Sequence, residues 1–163
     1  MFTLRCTQRL LKRLPFEQTR FAALTTTALG DWYAYPVPLR RAPYVMCTSD
    51  RSLLTVLVPA RDLTDLPLRL SSAVASLLGR LGCGPARIAA ELAEMSQVVF
   101  APTASRRVLG SMNDFAYLAR TFAASRTHPR DVPAIEERLA QTPCAPLRYA
   151  FPVQVAAALL GAA

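Results

Sequence analysis

From Thr103 to Phe122 the apolar positions return every third or fourth residue. At about 100° per residue, Val108, Met112, Phe115, Ala119 and Phe122 fall on one stripe, with Ser111 and Leu118 at its edge. The pattern predicts an amphipathic helix with one side buried. Burying Val108, Met112, Phe115 and Phe122 is worth roughly 1.5–3 kcal/mol each. Pro102 bars helix upstream, and Ser105 or Thr103 can cap the first turn.

The rest of the chain reads as short strands and helices. Strand patterns cover Phe2–Cys6, Trp32–Tyr35, Tyr44–Thr48, Leu53–Val58 and Gln97–Ala101, with Ser49–Ser52 a turn of hairpin length. Pro36 and Pro38 make the strand at Trp32 an edge strand or end it. Helical patterns cover Gln8–Leu14, a segment opening at Pro67 with Leu70, Val74, Leu77, Leu78 and Leu81 inward, Pro85–Met95, Ala134–Gln141 and Val153–Leu160. Glu17–Thr27 fits neither type. This order predicts an α+β fold, a mostly antiparallel sheet of four to five strands with helices on one face. It predicts a single α+β domain over residues 1–126. A polar break at His128–Pro133 then leads to a C-terminal helical extension, 127–163, packed on the same domain.

The outer side of the Thr103–Phe122 helix is unusual. Arg106, Gly110, Asn113, Tyr117 and Arg120 cluster there, with Arg107 and Asp114 together to one side. Arginines in a first turn oppose the positive end of the helix dipole, at a few tenths of a kcal/mol each. Gly110 in a helix interior costs about 1 kcal/mol against alanine. Two explanations are open. Arg106 and Arg107 pair with acids such as Glu91 or Glu94 while Gly110 lets another element pack close, or a strand edge or an anionic ligand lies against this side.

The 163 residues carry a formal charge of +8, which points to an acidic partner, nucleic acid above all. Lys12 is the one lysine, and arginine is abundant alongside alanine and proline, so part of the charge follows composition. The placement is more informative: Arg5, Arg9, Lys12, Arg13, Arg20, Arg40 and Arg41 face only Glu17 and Asp31 in the first 41 residues. No run approaches the roughly 20 apolar residues of a membrane span. Cys6, Cys47, Cys83 and Cys144 are widely spaced and His128 is the lone histidine, so no metal site and no cofactor is expected. A reduced, cytoplasmic setting fits these thiols.

LRCTQRLLKRL near the start, LGDWYA at Leu29–Ala34, LVPARDL at Leu57–Leu63 and RRVLGSMNDFAYL at Arg106–Leu118 together resemble a family of small bacterial proteins, the DUF6933 type, over about residues 1–122. The resemblance implies one compact domain and brings no catalytic residue. It also argues that Arg9, Lys12 and Arg13, which beside Leu10, Leu11 and Leu14 look like a presequence, belong to the folded part.

A nucleophile with a base, a carboxylate pair or a glycine-rich phosphate loop has no convincing match. A polar set remains: Asp31, Trp32 and Tyr33, Arg61 with Asp62, and Arg106, Arg107, Asn113, Asp114 and Tyr117. Arginine with asparagine and an aromatic ring can hold a phosphate, a carboxylate or a nucleobase. Each also has a structural reading: Trp32 as core, Asp62 as a turn group, and Asp114 paired with Arg61 or Arg107. The expected function is a binding module for nucleic acid or a partner protein through a basic face. The alternative is an enzyme acting on an anionic substrate, with Arg106 or Arg61 as clamp, Asp114 or Asp31 as acid/base and Asn113 as orienter.

Overall fold

The computed structural model describes residues 1–21, 23–127 and 131–161, so His128 and the head of the polar break lie outside the described residues. Strands β1 (Phe2–Cys6), β2 (Trp32–Leu39), β3 (Ala42–Ser49), β4 (Thr55–Pro59) and β5 (Val98–Pro102) form one sheet in the order β4-β3-β2-β1-β5. β2, β3 and β4 make an antiparallel meander, and β1 runs parallel to β2 on one side and β5 on the other. The fold is α+β with a mostly antiparallel sheet, as the pattern predicts.

The helices are α1 (Gln8–Leu11), α2 (Leu66–Arg80), α3 (Pro85–Glu94), α4 (Arg106–Ala124), α5 (Val132–Ala140) and α6 (Pro152–Leu159). They do not share one face of the sheet; they cover both. Leu4, Trp32, Val45, Cys47, Val56 and Val58 pack with α1, α2, α3 and α6, while Tyr33, Val37, Met46 and Leu57 pack with α4 and α5. The reason is in the strands themselves. Val45, Met46 and Cys47 are successive apolar residues, as are Val56, Leu57 and Val58, and all are buried, so each strand offers a greasy surface both ways.

Pro36 and Pro38 do not end β2. β1 pairs only with Trp32–Ala34. The Ala34 carbonyl faces that side, accepting from the Thr7 N–H at 3.1 Å. Pro36 and Pro38 share its alternation, so their missing donors point past the end of β1, where β2 is already an edge.

Leu39 pairs with Ala42, which makes Arg40 and Arg41 a two-residue turn with φ of 46° and 69°. That is the left-handed, type I′ geometry suited to Asn-Gly. A side chain there costs roughly 1–2 kcal/mol per residue. β1, β2 and β4 all run toward this turn, and the Ala60 N–H bonds the Pro43 carbonyl at 3.0 Å. The loop after β4 therefore lies near the turn after β2, while the residues after β1 emerge partway along β2, beside Ala34.

Two buried acids finish the frame. Glu91 accepts from the Ala28 and Leu29 N–H groups at 2.8 and 3.0 Å. Glu136 accepts from the Leu57 N–H at 2.8 Å, covering the open edge of β4, and from Arg80 at 2.6 Å.

Candidate functional site

α4 is the helix that the apolar stripe predicts. The Ser105 hydroxyl caps it by accepting from the Val108 N–H at 3.3 Å. Val108, Met112, Phe115 and Ala119 are buried against β2 and β3, and Phe122 lies beneath the Arg138 guanidinium at 3.8 Å. Arg106, Gly110, Asn113, Tyr117 and Arg120 are all exposed, Tyr117 by 66%. No heavy atom lies within 4 Å of where a Gly110 Cβ would sit, so no element of the chain packs there.

The acids proposed for Arg106 and Arg107 are engaged elsewhere. Glu91 holds the Ala28–Leu29 backbone, and Glu94 pairs with the amino terminus at 3.6 Å. Arg107 instead donates to the carbonyls of Pro146 at 3.2 Å and Asp50 at 3.0 Å, tying a distant turn to the sheet. Among the described residues neither Arg106 nor Asp114 has an ion pair, so the Arg61–Asp114 and Arg107–Asp114 pairings do not form.

Beside α4 a groove of about 480 Å³ opens against the turn 142–146. Arg106 and Arg107 stand near one end and Asp114 is two helical turns along; Phe115, Leu118 and Cys144 supply apolar lining. Burial, with the Asp114 carboxylate near it, pushes the Cys144 thiol up to about 11. The thiol donates to the Thr142 carbonyl at 3.2 Å and lines the groove. The wall is fixed by the Cys144 carbonyl accepting from the Tyr149 N–H at 2.9 Å, with Arg148 and Tyr149 both left-handed at φ 53° and 62°. Nothing in the local pattern of a proline-rich link places these residues opposite α4, and that half of the groove is not legible from the sequence.

The remaining predicted residues lie apart from the groove. Trp32 is wholly enclosed in the core and cannot line a cleft. Asp31 is buried, with its carboxylate accepting from the Thr3 N–H at 3.0 Å, from Arg5 at 3.1 Å and from the Thr25 hydroxyl. It organises the start of β2. Arg61 sits in a separate depression with Arg13 and Asp62, and Asp62 is the turn group of its alternative reading, accepting from Thr64 at 2.9 Å.

With that geometry in place, comparison assigns the chain. The family model for the domain of unknown function DUF6933 matches residues 3–155. The chain belongs to that family. No curated protein and no solved structure matches it. The DUF6933 match runs past the motifs that end near Phe122, through α5 and into α6.

This DUF6933 member thus displays cations without committing them. Arg9, Lys12 and Arg13 follow β1, Arg61 follows β4, and Arg40 and Arg41 form the β2–β3 turn; all six are exposed, and Arg13 and Arg61 share one depression. Among the described residues none of them has a carboxylate within salt-bridge distance. The arginine pair of the turn was visible only as charge; Arg-Arg carries no signal for a left-handed hairpin. Among the described residues no three His, Cys, Asp or Glu side chains are grouped to hold a metal, and no helix is long and apolar enough to cross a membrane.

Proposed function

We propose that this DUF6933 member is a binding module for nucleic acid, gripping phosphates with the exposed cations that follow β1, β2 and β4. The observation that carries this reading is placement. Arg9, Lys12, Arg13, Arg40, Arg41 and Arg61 come from three segments that each follow a strand running the same way, all exposed and without an ion pair among the described residues. Such a set of cations suits the regular charge of a phosphate backbone. The turn adds weight, because Arg40 and Arg41 hold a conformation that arginine disfavours.

The enzyme reading has less support. Asp31 is taken up by Thr3, Arg5 and Thr25, which leaves Asp114 as its acid/base.

The test is filter binding of single-stranded RNA and duplex DNA across a salt series, with the wild-type chain and an Arg40→Asn/Arg41→Gly double variant. The variant supplies the turn's preferred residues, so the fold is held or strengthened while two charges go. The expected result is a steep salt slope in the wild type, reduced by about two in the variant. No binding at low salt, or binding that ignores salt, removes the proposal; an acidic protein partner then becomes the reading to pursue.

A further inference from the structure

We propose that the groove between α4 and the turn 142–146 binds a guanosine monophosphate unit, with phosphate at Arg106 and the base edge at Asp114. This is a separate site from the cations that follow β1, β2 and β4 and does not rest on them.

The groove offers three kinds of contact in line. Among the described residues Arg106 is exposed with no carboxylate partner, so its guanidinium is available to a phosphate. Asp114 lies about 12 Å further along the helix axis, at 1.5 Å per residue. Its carboxylate is exposed, has no ion pair among the described residues and only accepts hydrogen bonds. Between them Gly110 leaves the helix backbone bare, while Leu118, one turn beyond Asp114, and Cys144 on the facing turn add apolar lining. A ligand that matches must be anionic at one end, flat and apolar in the middle, and rich in N–H donors at the other. Guanine meets a carboxylate with two adjacent donors, its ring N–H and its amino group. Adenine meets it with an amino group beside an acceptor nitrogen that the carboxylate repels. A simple anion gains nothing from Asp114, and a simple cation nothing from Arg106.

Gly110 fits the same arrangement. It lines the groove in mid-helix, and the space its missing side chain leaves is empty. Gly79 in α2 has the same open space, so the emptiness alone is not distinctive; at Gly110 it coincides with Arg106 and Asp114 in one groove, where a flat ligand can lie on the helix backbone. Arg107 keeps the site in shape by joining the groove wall at Pro146 to the sheet at Asp50.

Calorimetric titration of the full chain with GMP, AMP and guanosine tests the assignment. GMP should bind, with AMP and guanosine each weaker by roughly tenfold or more. Asp114→Asn should bring GMP down to the level of AMP. Gly110→Leu should fill the groove and abolish GMP binding while its melting temperature stays level or rises, since an exposed helical glycine has been replaced by a better helix former. Equal binding of GMP and AMP, or a Gly110→Leu chain that still takes GMP, overturns the inference. A tetranucleotide RNA with one guanosine that binds more tightly than GMP makes RNA the source of the ligand; weaker binding makes it the free nucleotide; both uphold the site. A chain that takes GMP but shows no salt-dependent RNA binding keeps this inference and loses the preceding one, and the reverse result loses only this one.

Discussion

α2 and α4 lie on opposite faces of one sheet, and each buries an apolar stripe against it. They treat their arginines differently. On α2, Arg69 pairs with Asp65 at 2.7 Å and reaches the Pro59 carbonyl, and Arg80 pairs with Glu136 and Glu137 at 2.6 and 2.8 Å. On α4, Arg106 and Arg120 have no carboxylate partner among the described residues. Both helices have the amphipathic pattern of a core helix, so the pattern alone does not separate them. The difference lies in whether the outer charges are settled within the chain. On α2 the arginines are answered by neighbouring carboxylates; among the described residues nothing relieves the dipole conflict that α4 retains.

The comparison breaks most severely at Glu91, on the α2 side. Its carboxylate is the acceptor for two backbone donors of the loop before β2. Glu91→Ala leaves both unsatisfied, at about 1–3 kcal/mol each, so urea unfolding should show a loss of about 4 kcal/mol. Asp114→Ala on the α4 side should stay within about 0.5 kcal/mol, as for an exposed site without partners. Equal losses at the two acids would end the distinction between a settled face and an open one.

Glu136 sharpens the same contrast through pH. Burial pushes its carboxyl up to about 7, outweighing the Leu57 N–H and the Arg80 charge, which both favour ionisation. An acid whose folded pKa lies above its unfolded value of 4.5 binds its proton more tightly when folded. Stability from this group is therefore full below about pH 4.5 and declines as pH rises to about 7, by at most about 3 kcal/mol. Denaturation curves from pH 5 to 8 should show that decline, and Glu136→Gln, which still accepts from Leu57, should flatten it. A Glu136→Gln chain with the same slope as wild type would place the titrating group elsewhere.

Much of this was readable beforehand, and the parts that were not share a cause. β1 occupies Phe2–Cys6, as its apolar pattern predicts, and α4 buries the stripe of Val108, Met112, Phe115 and Ala119. Both are local signals. Glu91 and Glu136 look like ordinary wet helical acids, because the loop and strand edge they satisfy are distant in sequence. The helices could not be assigned to two faces because Val45–Cys47 and Val56–Val58 show no alternation, and strand burial on both sides erases the period that would orient them. Pro36 and Pro38 were correctly read as edge residues, but whether the strand continues depends on where β1 stops. Of the candidate site, Arg106, Arg107 and Asp114 gather at the groove because one helix carries all three. Asp31 and Trp32 lie at the start of β2, and the burial that removes them from the groove is set by contacts with β1 and the core.

The smallest effect is the most discriminating. Arg106 stands at the first position of α4, where the free N–H groups favour a negative charge, and no acid lies in the first turn. Arg106→Glu reverses the sign of that interaction and should raise stability by about 0.3–1 kcal/mol, readable as a shift in the urea midpoint at unchanged slope. The same change at the last residue of α2, Arg80→Glu, should lower stability, because it removes the partner of Glu136 and Glu137 and sets a third carboxylate beside them. An arginine whose removal stabilises the chain is retained for something other than folding. If Arg106→Glu instead destabilises, Arg106 has a structural role, and α4 becomes a helix of the same kind as α2.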